Sequence, residues 1–248
     1  MSVRTARMRR RFEELRLAVV FLTRLPAGRL KDPIPELSAA RWAFPLVGLA
    51  VGAITAAVFW VLTVMGMAPM LAAVLALAAQ ALTTGALHQD GLADVADGLG
   101  GGRDRAHALE IMRDSRIGSY GALALVLTTA AWIVALAEVG QAWPLLALAV
   151  ASRLAMLAVL VELPSARAEG LGQSASARCR PYAPGLIVAV ACLLPLGWAG
   201  AWAAAAMALM TLLLANRALK RIGGQTGDVC GAAQILSETA GLVALCLS

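Results

Sequence analysis

The residues best suited to chemistry lie in one stretch, 88–118, with the sequence HQDGLADVADGLGGGRDRAHALEIMRDSRIG, which holds six of the chain's 15 carboxylates. Asp90, Asp94 and Asp97 fall at positions i, i+4 and i+7, so on a helix they point within roughly 60° of one another. Like charges at this spacing repel each other unless a cation lies between them. Hard oxygen ligands of this kind suit Mg²⁺, Mn²⁺ or Ca²⁺, and Mg²⁺ commonly joins protein carboxylates to substrate phosphates.

A second pair of acids, Glu110 and Asp114, is again four residues apart and is predicted to share one face of a helix that begins near Arg105. We expect Gly98 and the run Gly100–Gly102 to break the first helix before it. Two other interpretations stay open: a solvated loop whose arginines balance the acids, and a cation route through a membrane. Against the second, the apolar segments of the chain contain almost no acids.

The second polar segment is GGQTGDVCGA, residues 223–232. Its glycines allow close approach of a ligand, and Thr226 and Asp228 offer a hydroxyl and a carboxylate at the start of a predicted helix. An equally good interpretation makes Asp228 the N-cap of that helix and the glycines a loop. Arg153 lies inside an apolar run, where it could bind a substrate phosphate or pair with an acid from the loop. The four cysteines show no metal-ligand spacing.

The elements that must position these residues are membrane helices. The chain is 60% hydrophobic and 15% charged with a mean hydropathy of +0.76, whereas a soluble domain is nearer half apolar and about a quarter charged. Its apolar runs approach the ~20 residues of a membrane-spanning helix. We predict an all-α, polytopic membrane protein with six or seven transmembrane helices: 43–65, 69–87, 118–137, 142–161, two within 184–215, and 232–247 as a marginal seventh.

Basic residues set the predicted orientation. Ten of the 21 Lys and Arg residues precede residue 42, and all the others except Arg153 lie in alternate loops. The positive-inside rule then places the N-terminus and these loops in the cytoplasm. The excess of Lys and Arg is therefore explained by membrane orientation, and no nucleic-acid partner is expected. We divide the single integral-membrane domain, 1–248, into a basic cytoplasmic or interfacial segment 1–41, an acidic catalytic loop 88–117, a third basic loop 162–183, a glycine-rich loop 216–235, and the spans between them.

Three polar segments resemble one family. HQDGLADVADG, LEIMRDSRIGSYG and GGQTGDVCGA are similar to signature segments of the cobalamin synthase (adenosylcobinamide-GDP ribazoletransferase) family, and FLTRLPAG, FPLVGLAVG, ASRLAM and EGLGQS also fit it. The resemblance implies a Mg²⁺-dependent enzyme of the bacterial inner membrane, in contact with the lipid bilayer, and it allows for a homo-oligomer. Such enzymes join adenosylcobinamide-GDP to α-ribazole or its 5′-phosphate, release GMP and form adenosylcobalamin or its phosphate.

The acidic segment also resembles the CDP-alcohol phosphotransferase motif, in which two acids three residues apart precede a glycine and a later acid pair is four apart. This resemblance implies that Asp94, Asp97 and Glu110 bind the metal, with Asp90 a further candidate, and that Asp114 is the catalytic base. Attack by a ribose hydroxyl on a pyrophosphate requires both a cation and a base. The predicted substrate-binding residues are Arg103, Arg113, Arg116, Arg153, Thr226 and Asp228.

Two other functions stay open from the sequence. One is a phospholipid enzyme of the CDP-alcohol phosphotransferase type, and the other is a cation-coupled secondary transporter. A transporter predicts acids at the membrane midplane, whereas an enzyme predicts them at the surface. The acids follow an apolar run rather than interrupting one, so we expect an active site at the cytoplasmic face.

Overall fold

The described part of the protein is built from helices, as the sequence predicts. The computed structural model describes residues 3–30, 32–167 and 181–247. Within these ranges the β-type pairing is limited to an isolated bridge between Ser165 and Gln225. The helices are α1 (Val3–Leu22), α2 (Leu37–Ala40), α3 (Phe44–Val64), α4 (Pro69–Thr84), α5 (Leu87–Gly101), α6 (Arg105–Ile111), α7 (Ser119–Val139), α8 (Trp143–Glu162), α9 (Ala183–Leu193), α10 (Gly197–Ile222) and α11 (Gly227–Leu245).

Four helical stretches are long and apolar enough to cross a membrane, so the chain is a multi-pass membrane protein. They are Leu37–Val64, Ser119–Val139, Trp143–Glu162 and Ala183–Ile222. α4 and α5 meet the same requirement only as a pair, and the two are bent by 91°. The described residues therefore supply four or five candidate spans, whereas the sequence predicted six or seven.

The bend between α4 and α5 is made by two successive residues in the left-handed region. Gly85 ends α4 with φ 66°, and Ala86, at φ 56°, precedes α5. Arg24 lies against the bend: its backbone N–H donates to the carbonyl of Thr83 at 2.7 Å, and a Cβ on Gly85 would lie 2.5 Å from its Nε. The acidic residues therefore lie on a separate helix, not on the end of a second span as the sequence predicted.

The predicted fifth and sixth spans form one apolar stretch of two unequal helices. α9 has 11 residues, about half of the ~20 that a span requires, and α10 has 26. A 3₁₀ turn, Leu194–Leu196, and Gly197 at φ 57° separate them. α9 packs against α8 and α3, and α10 packs mainly against α11. The predicted break is present, but it separates a short helix from a long one.

The predicted marginal span at the end of the chain, α11, lies among the other helices. It contacts α5, α7, α8 and α10, and 14 of its 19 residues are buried. Small residues let neighbouring helices approach closely: a Cβ on Gly241 would lie 2.7 Å from Leu148, and one on Gly91 of α5 would lie 2.8 Å from the carbonyl oxygen of Asp228. This packing brings the start of α11 against the acidic face of α5.

A buried polar network ties α11 to three other helices. Its centre is Glu238, which is 1% exposed, and the Nη1 of Arg153 lies 3.7 Å from its Oε2. Arg153 therefore pairs with an acid of α11, not with an acid of the loop. Side chains of α4, α7, α8 and α11 also donate to Glu238, namely Gln80, Trp132, Ser152 and Gln234.

Candidate active site

The three aspartates of residues 88–118 lie on one helix, α5, as their spacing predicts. The helix does not break at Gly98 but continues to Gly101. Gly98 has a packing role, because a Cβ there would meet the side chain of Met112 and would lie 2.9 Å from the carbonyl oxygen of Ala108. The close crossing of α5 by α6 thus explains the glycine that the sequence suggested was a helix breaker.

Asp90 and Asp94 line an open cavity of about 550 Å³. Its walls come from the end of α1, the bend between α4 and α5, and residues 115–117. Two arginines line the same cavity: Arg116, which the sequence predicted as a substrate ligand, and Arg24, which it did not. Thr84 and Gln89 add polar groups. The cavity offers carboxylates for a cation and arginines for phosphate oxygens.

Asp97 does not line this cavity but another one, together with Asp114 and Arg116, and it anchors the start of α7. It is 8% exposed, its Oδ2 accepts the backbone N–H of Gly118 at 2.7 Å, and its Oδ1 accepts that of Gly121 at 2.9 Å. The carboxylate thus satisfies N–H groups at a helix N-terminus, where negative charge is favourable. A Cβ on Gly118 or Gly121 would overlap it. Its predicted role as a metal ligand stays a prediction.

Glu110 and Asp114 do not share a helical face, because α6 ends at Ile111. α6 begins at Arg105 as predicted, with Asp104 as its N-cap. Glu110 is exposed on α6, and Asp114 lies in the turn that follows. Neither residue lines the cavity that holds Asp90 and Asp94.

Asp114 forms a salt bridge with Arg116, whose Nη2 lies 2.6 Å from its Oδ2. Hydrogen bonds from the Arg116 side chain, and then from its backbone N–H, lower the pKa of Asp114 to about 2. A carboxylate with so low a pKa is a weak base near neutral pH.

The start of α11 contributes one more carboxylate, Asp228. Thr226, not Asp228, is the N-cap, and its hydroxyl accepts the N–H of Val229 at 3.3 Å and donates to Asp228 Oδ2 at 3.2 Å. Arg167 Nη2 lies 3.3 Å from the same oxygen. Burial raises the pKa of Asp228, and the charge of Asp90 adds to this effect, whereas Arg167 and then Thr226 oppose it.

Asp90, Asp94 and Asp228 converge where α5 and α11 meet. Asp90 and Asp94 line the larger cavity together, and Asp90 and Asp228 both line a smaller cavity that adjoins it. Among the residues that the structure describes, however, no three His, Cys, Asp or Glu side chains form a group that could hold a metal ion. The predicted set of four ligands is therefore not gathered. Mg²⁺ usually takes one or two carboxylates together with waters and substrate phosphates, which Asp90 and Asp94 fit.

The other predicted substrate ligands are dispersed. Arg103 and Arg113 are exposed, and they line neither the cavity of Asp90 and Asp94 nor the smaller cavity, of about 180 Å³, that adjoins it at Asp90. Arg153 is fully buried beside Glu238. The sequence reasoning missed Arg24 and Arg167, because both reach the site only through contacts with distant parts of the chain. The signal for Arg24 was available in FLTRLPAG, where a lone arginine interrupts the end of an apolar run.

These features define a multi-pass, all-helical membrane protein with aspartates and arginines gathered at one cavity. The chain belongs to the Cobalamin-5-phosphate synthase family, whose model matches residues 14–246. No solved structure matches it.

Curated relatives match the chain over nearly their whole length. An adenosylcobinamide-GDP ribazoletransferase of Bradyrhizobium diazoefficiens is 43% identical over 247 residues, which covers 94% of this chain and 93% of the relative. A protein of the same name from Mesorhizobium japonicum is 46% identical and covers 93% of this chain and 92% of the relative. One from Xanthobacter autotrophicus is 44% identical, with 90% and 91% covered.

Proposed function

We propose that the chain is a transferase that moves the cobinamide-phosphate moiety of adenosylcobinamide-GDP to α-ribazole or its 5′-phosphate and releases GMP. The observation that carries this proposal is the match to ribazoletransferases at 43% and 46% identity across more than nine tenths of each chain. The convergence of Asp90, Asp94 and Asp228 beside a cavity with two arginines supports it. A phospholipid enzyme and a transporter have no comparable support.

In this reaction a hydroxyl of the ribose attacks the phosphorus that carries the cobinamide, and the bond between the two phosphates of the donor breaks. Arg24 and Arg116 would bind the phosphate oxygens, because guanidinium groups match them in geometry and charge. Asp90 and Asp94 would hold Mg²⁺, which neutralises pyrophosphate charge when it is bound. The dependence on Mg²⁺ is part of the proposal.

Asp228 is our candidate for the proton acceptor. Its raised pKa makes it a stronger base than Asp114, whose pKa is about 2. It also lies on the smaller cavity beside Asp90, so it can meet an acceptor bound there. The base role predicted for Asp114 stays untested, and its salt bridge with Arg116 argues against it.

We further propose that the protein resides in the bacterial inner membrane with its N-terminus and the acidic cavity on the cytoplasmic side. The support is the distribution of Lys and Arg, which alternates from loop to loop along the chain. Ten of these residues precede residue 42. A cytoplasmic site would also give the enzyme access to its nucleotide-bearing donor.

The function is tested with purified protein given adenosylcobinamide-GDP, α-ribazole and Mg²⁺, followed by mass spectrometry of the products. We expect GMP and adenosylcobalamin in equal amounts, and much less of both from the Asp94→Asn variant at the same limiting Mg²⁺ concentration. A parent protein that is folded yet releases no GMP would contradict the proposal. Parallel reactions with CDP-activated lipids should give no product.

A further inference from the structure

A second cavity of about 180 Å³ adjoins the first, and Asp90 lines both. Its wall is mainly apolar and comes from α1, α2, α3, α5, α8 and α11, including the rings of Phe21 and Phe44 and the side chains of Met156 and Leu160. At about 180 Å³ it is smaller than the ~300–1,000 Å³ of a pocket for a whole drug-sized ligand. It therefore fits one apolar part of a ligand whose remainder lies in the larger cavity.

The wall of this cavity includes a residue with an unpaired polar atom. His88 is only 2% exposed, and its Nε2 makes no hydrogen bond to any residue that the structure describes. A buried imidazole nitrogen left unpaired is costly, so native proteins rarely keep one without a reason. A bound group that hydrogen-bonds this nitrogen would remove the cost. The cavity wall is thus mainly apolar and includes a few polar side chains, among them Asp90, Asp228 and His88, which is the usual composition of a ligand pocket.

We propose that this cavity binds the aromatic base of the acceptor nucleoside, with His88 Nε2–H donating to the ring nitrogen that does not carry the sugar. This assignment rests on the proposed function. A flat, largely apolar bicyclic base matches aromatic and aliphatic walls with a single buried donor. With the base held there, the attached ribose lies at the junction with the larger cavity, between Asp90 and Asp228.

The two cavities then have separate tasks in a reaction that joins two substrates. The larger one, with Arg24 and Arg116, takes the phosphates of the donor. The smaller one takes the acceptor and directs its ribose hydroxyl towards them. A lipid acyl chain is the competing occupant of an apolar cavity in a membrane protein, but it offers no acceptor for His88 and no group for either carboxylate.

The first test compares acceptors that differ at one ring atom. The ribosides of a benzimidazole and of an indole have similar shapes, but only the benzimidazole keeps an unprotonated ring nitrogen. We expect the parent to prefer the benzimidazole by about tenfold in kcat/KM, which is the effect of one buried hydrogen bond. His88→Met should abolish this preference, and His88→Gln, which keeps an N–H donor, should retain part of it. The KM for adenosylcobinamide-GDP should not change in either variant.

An equal preference in the parent and in His88→Met would overturn the assignment of His88. A parent that forms no joined product with any acceptor would instead contradict the proposed function itself. The two failures are therefore distinguishable.

The second test fills the cavity. Met156→Phe should raise the KM for the acceptor at least several-fold with the donor KM unchanged, because the added volume occupies the base site. The matched control is Met207→Phe, at another buried methionine that does not line the cavity. Unfolding temperatures of both variants in detergent report whether they fold. An acceptor KM unaffected by Met156→Phe, together with loss of a photoreactive acyl-chain probe from the cavity, would identify a lipid site and overturn the proposal.

Discussion

Asp97 on α5 accepts the backbone N–H of Gly118 at 2.7 Å, which fixes the start of α7 against the acidic helix. The same carboxylate accepts the N–H of Gly121 at 2.9 Å. We expect Asp97→Ala to lower the unfolding temperature in detergent more than Asp97→Asn does, because the amide keeps one acceptor oxygen. Hydrogen bonds to charged groups contribute about 1.5–3 kcal/mol each.

If Asp97 is instead a metal ligand, as the sequence predicts, the same variants should have different unfolding temperatures from those expected above. A residue that served only as a metal ligand would leave the unfolding temperature of the metal-free protein unchanged in both. Differential scanning fluorimetry in the presence of EDTA separates the two roles. Unchanged stability of Asp97→Ala under these conditions would refute the anchoring role.

Arg153 and Glu238 form a buried pair whose members are each about 1% exposed on their side chains. We predict that Glu238→Leu destabilises the protein by about 3–5 kcal/mol, because it leaves an uncompensated buried charge on Arg153. The double variant Arg153→Met, Glu238→Leu should recover part of this loss. Glu138→Gln, at an exposed acid of α7, is the control and should have no effect. Equal stability of the single and double variants would refute the pairing.

Several features of the fold could be predicted because they depend on local spacing. Asp90, Asp94 and Asp97 recur at helical intervals, so their shared helix was evident, and α6 begins at Arg105 after a capping aspartate. The bend before α5 could not be predicted, since Ala86 adopts a left-handed conformation that its residue type does not favour. The sequence predicted a marginal membrane span at 232–247, whereas α11 packs among other helices, because its polar residues pair with side chains from distant helices.

Which residues meet at the candidate site also could not be predicted from local spacing. Glu238 lies 85 positions beyond Arg153, and Asp228 lies 134 positions beyond Asp94. Neither proximity follows from local periodicity, because each depends on how the helices pack. The spacing of Glu110 and Asp114 predicted that they share one face of a helix, but α6 ends between them. The convergence of α5 with α11 was visible only in three dimensions.

The raised pKa of Asp228 leads to a pH prediction. If Asp228 accepts the proton, the rate falls as the pH drops and the carboxylate becomes protonated, and the midpoint lies above the ~3.9 of an ordinary aspartate. The positive charge of Arg167 lowers the pKa of Asp228, so Arg167→Gln should move this midpoint to higher pH. The measurement is kcat against pH at saturating substrates. A midpoint that stays in place or moves to lower pH in Arg167→Gln would argue against Asp228 as the base.

The orientation in the membrane is tested at two exposed positions, Gly101 and Met65, that the proposed topology places on opposite sides of the membrane. Gly101 accepts a side chain, since a Cβ there would meet only Ile111 Cδ1, at 3.7 Å. In a background without native cysteines, Gly101→Cys should resist an impermeant reagent in intact cells and react after lysis. Met65→Cys, at an exposed residue that follows α3, should react in intact cells. The opposite pattern would reverse the topology and move the active site to the other face.

The central claim is that the phosphate-transferring site is formed by Asp90 and Asp94 beside Asp228, not by Glu110 and Asp114. The most direct measurement is single-turnover release of GMP from adenosylcobinamide-GDP as Mg²⁺ is titrated, for Asp94→Asn and Glu110→Gln. We predict that Asp94→Asn needs at least tenfold more Mg²⁺ for its half-maximal rate, because it loses a charged oxygen ligand. Glu110→Gln should match the parent. A parent-like titration for Asp94→Asn with a large shift for Glu110→Gln would contradict the account.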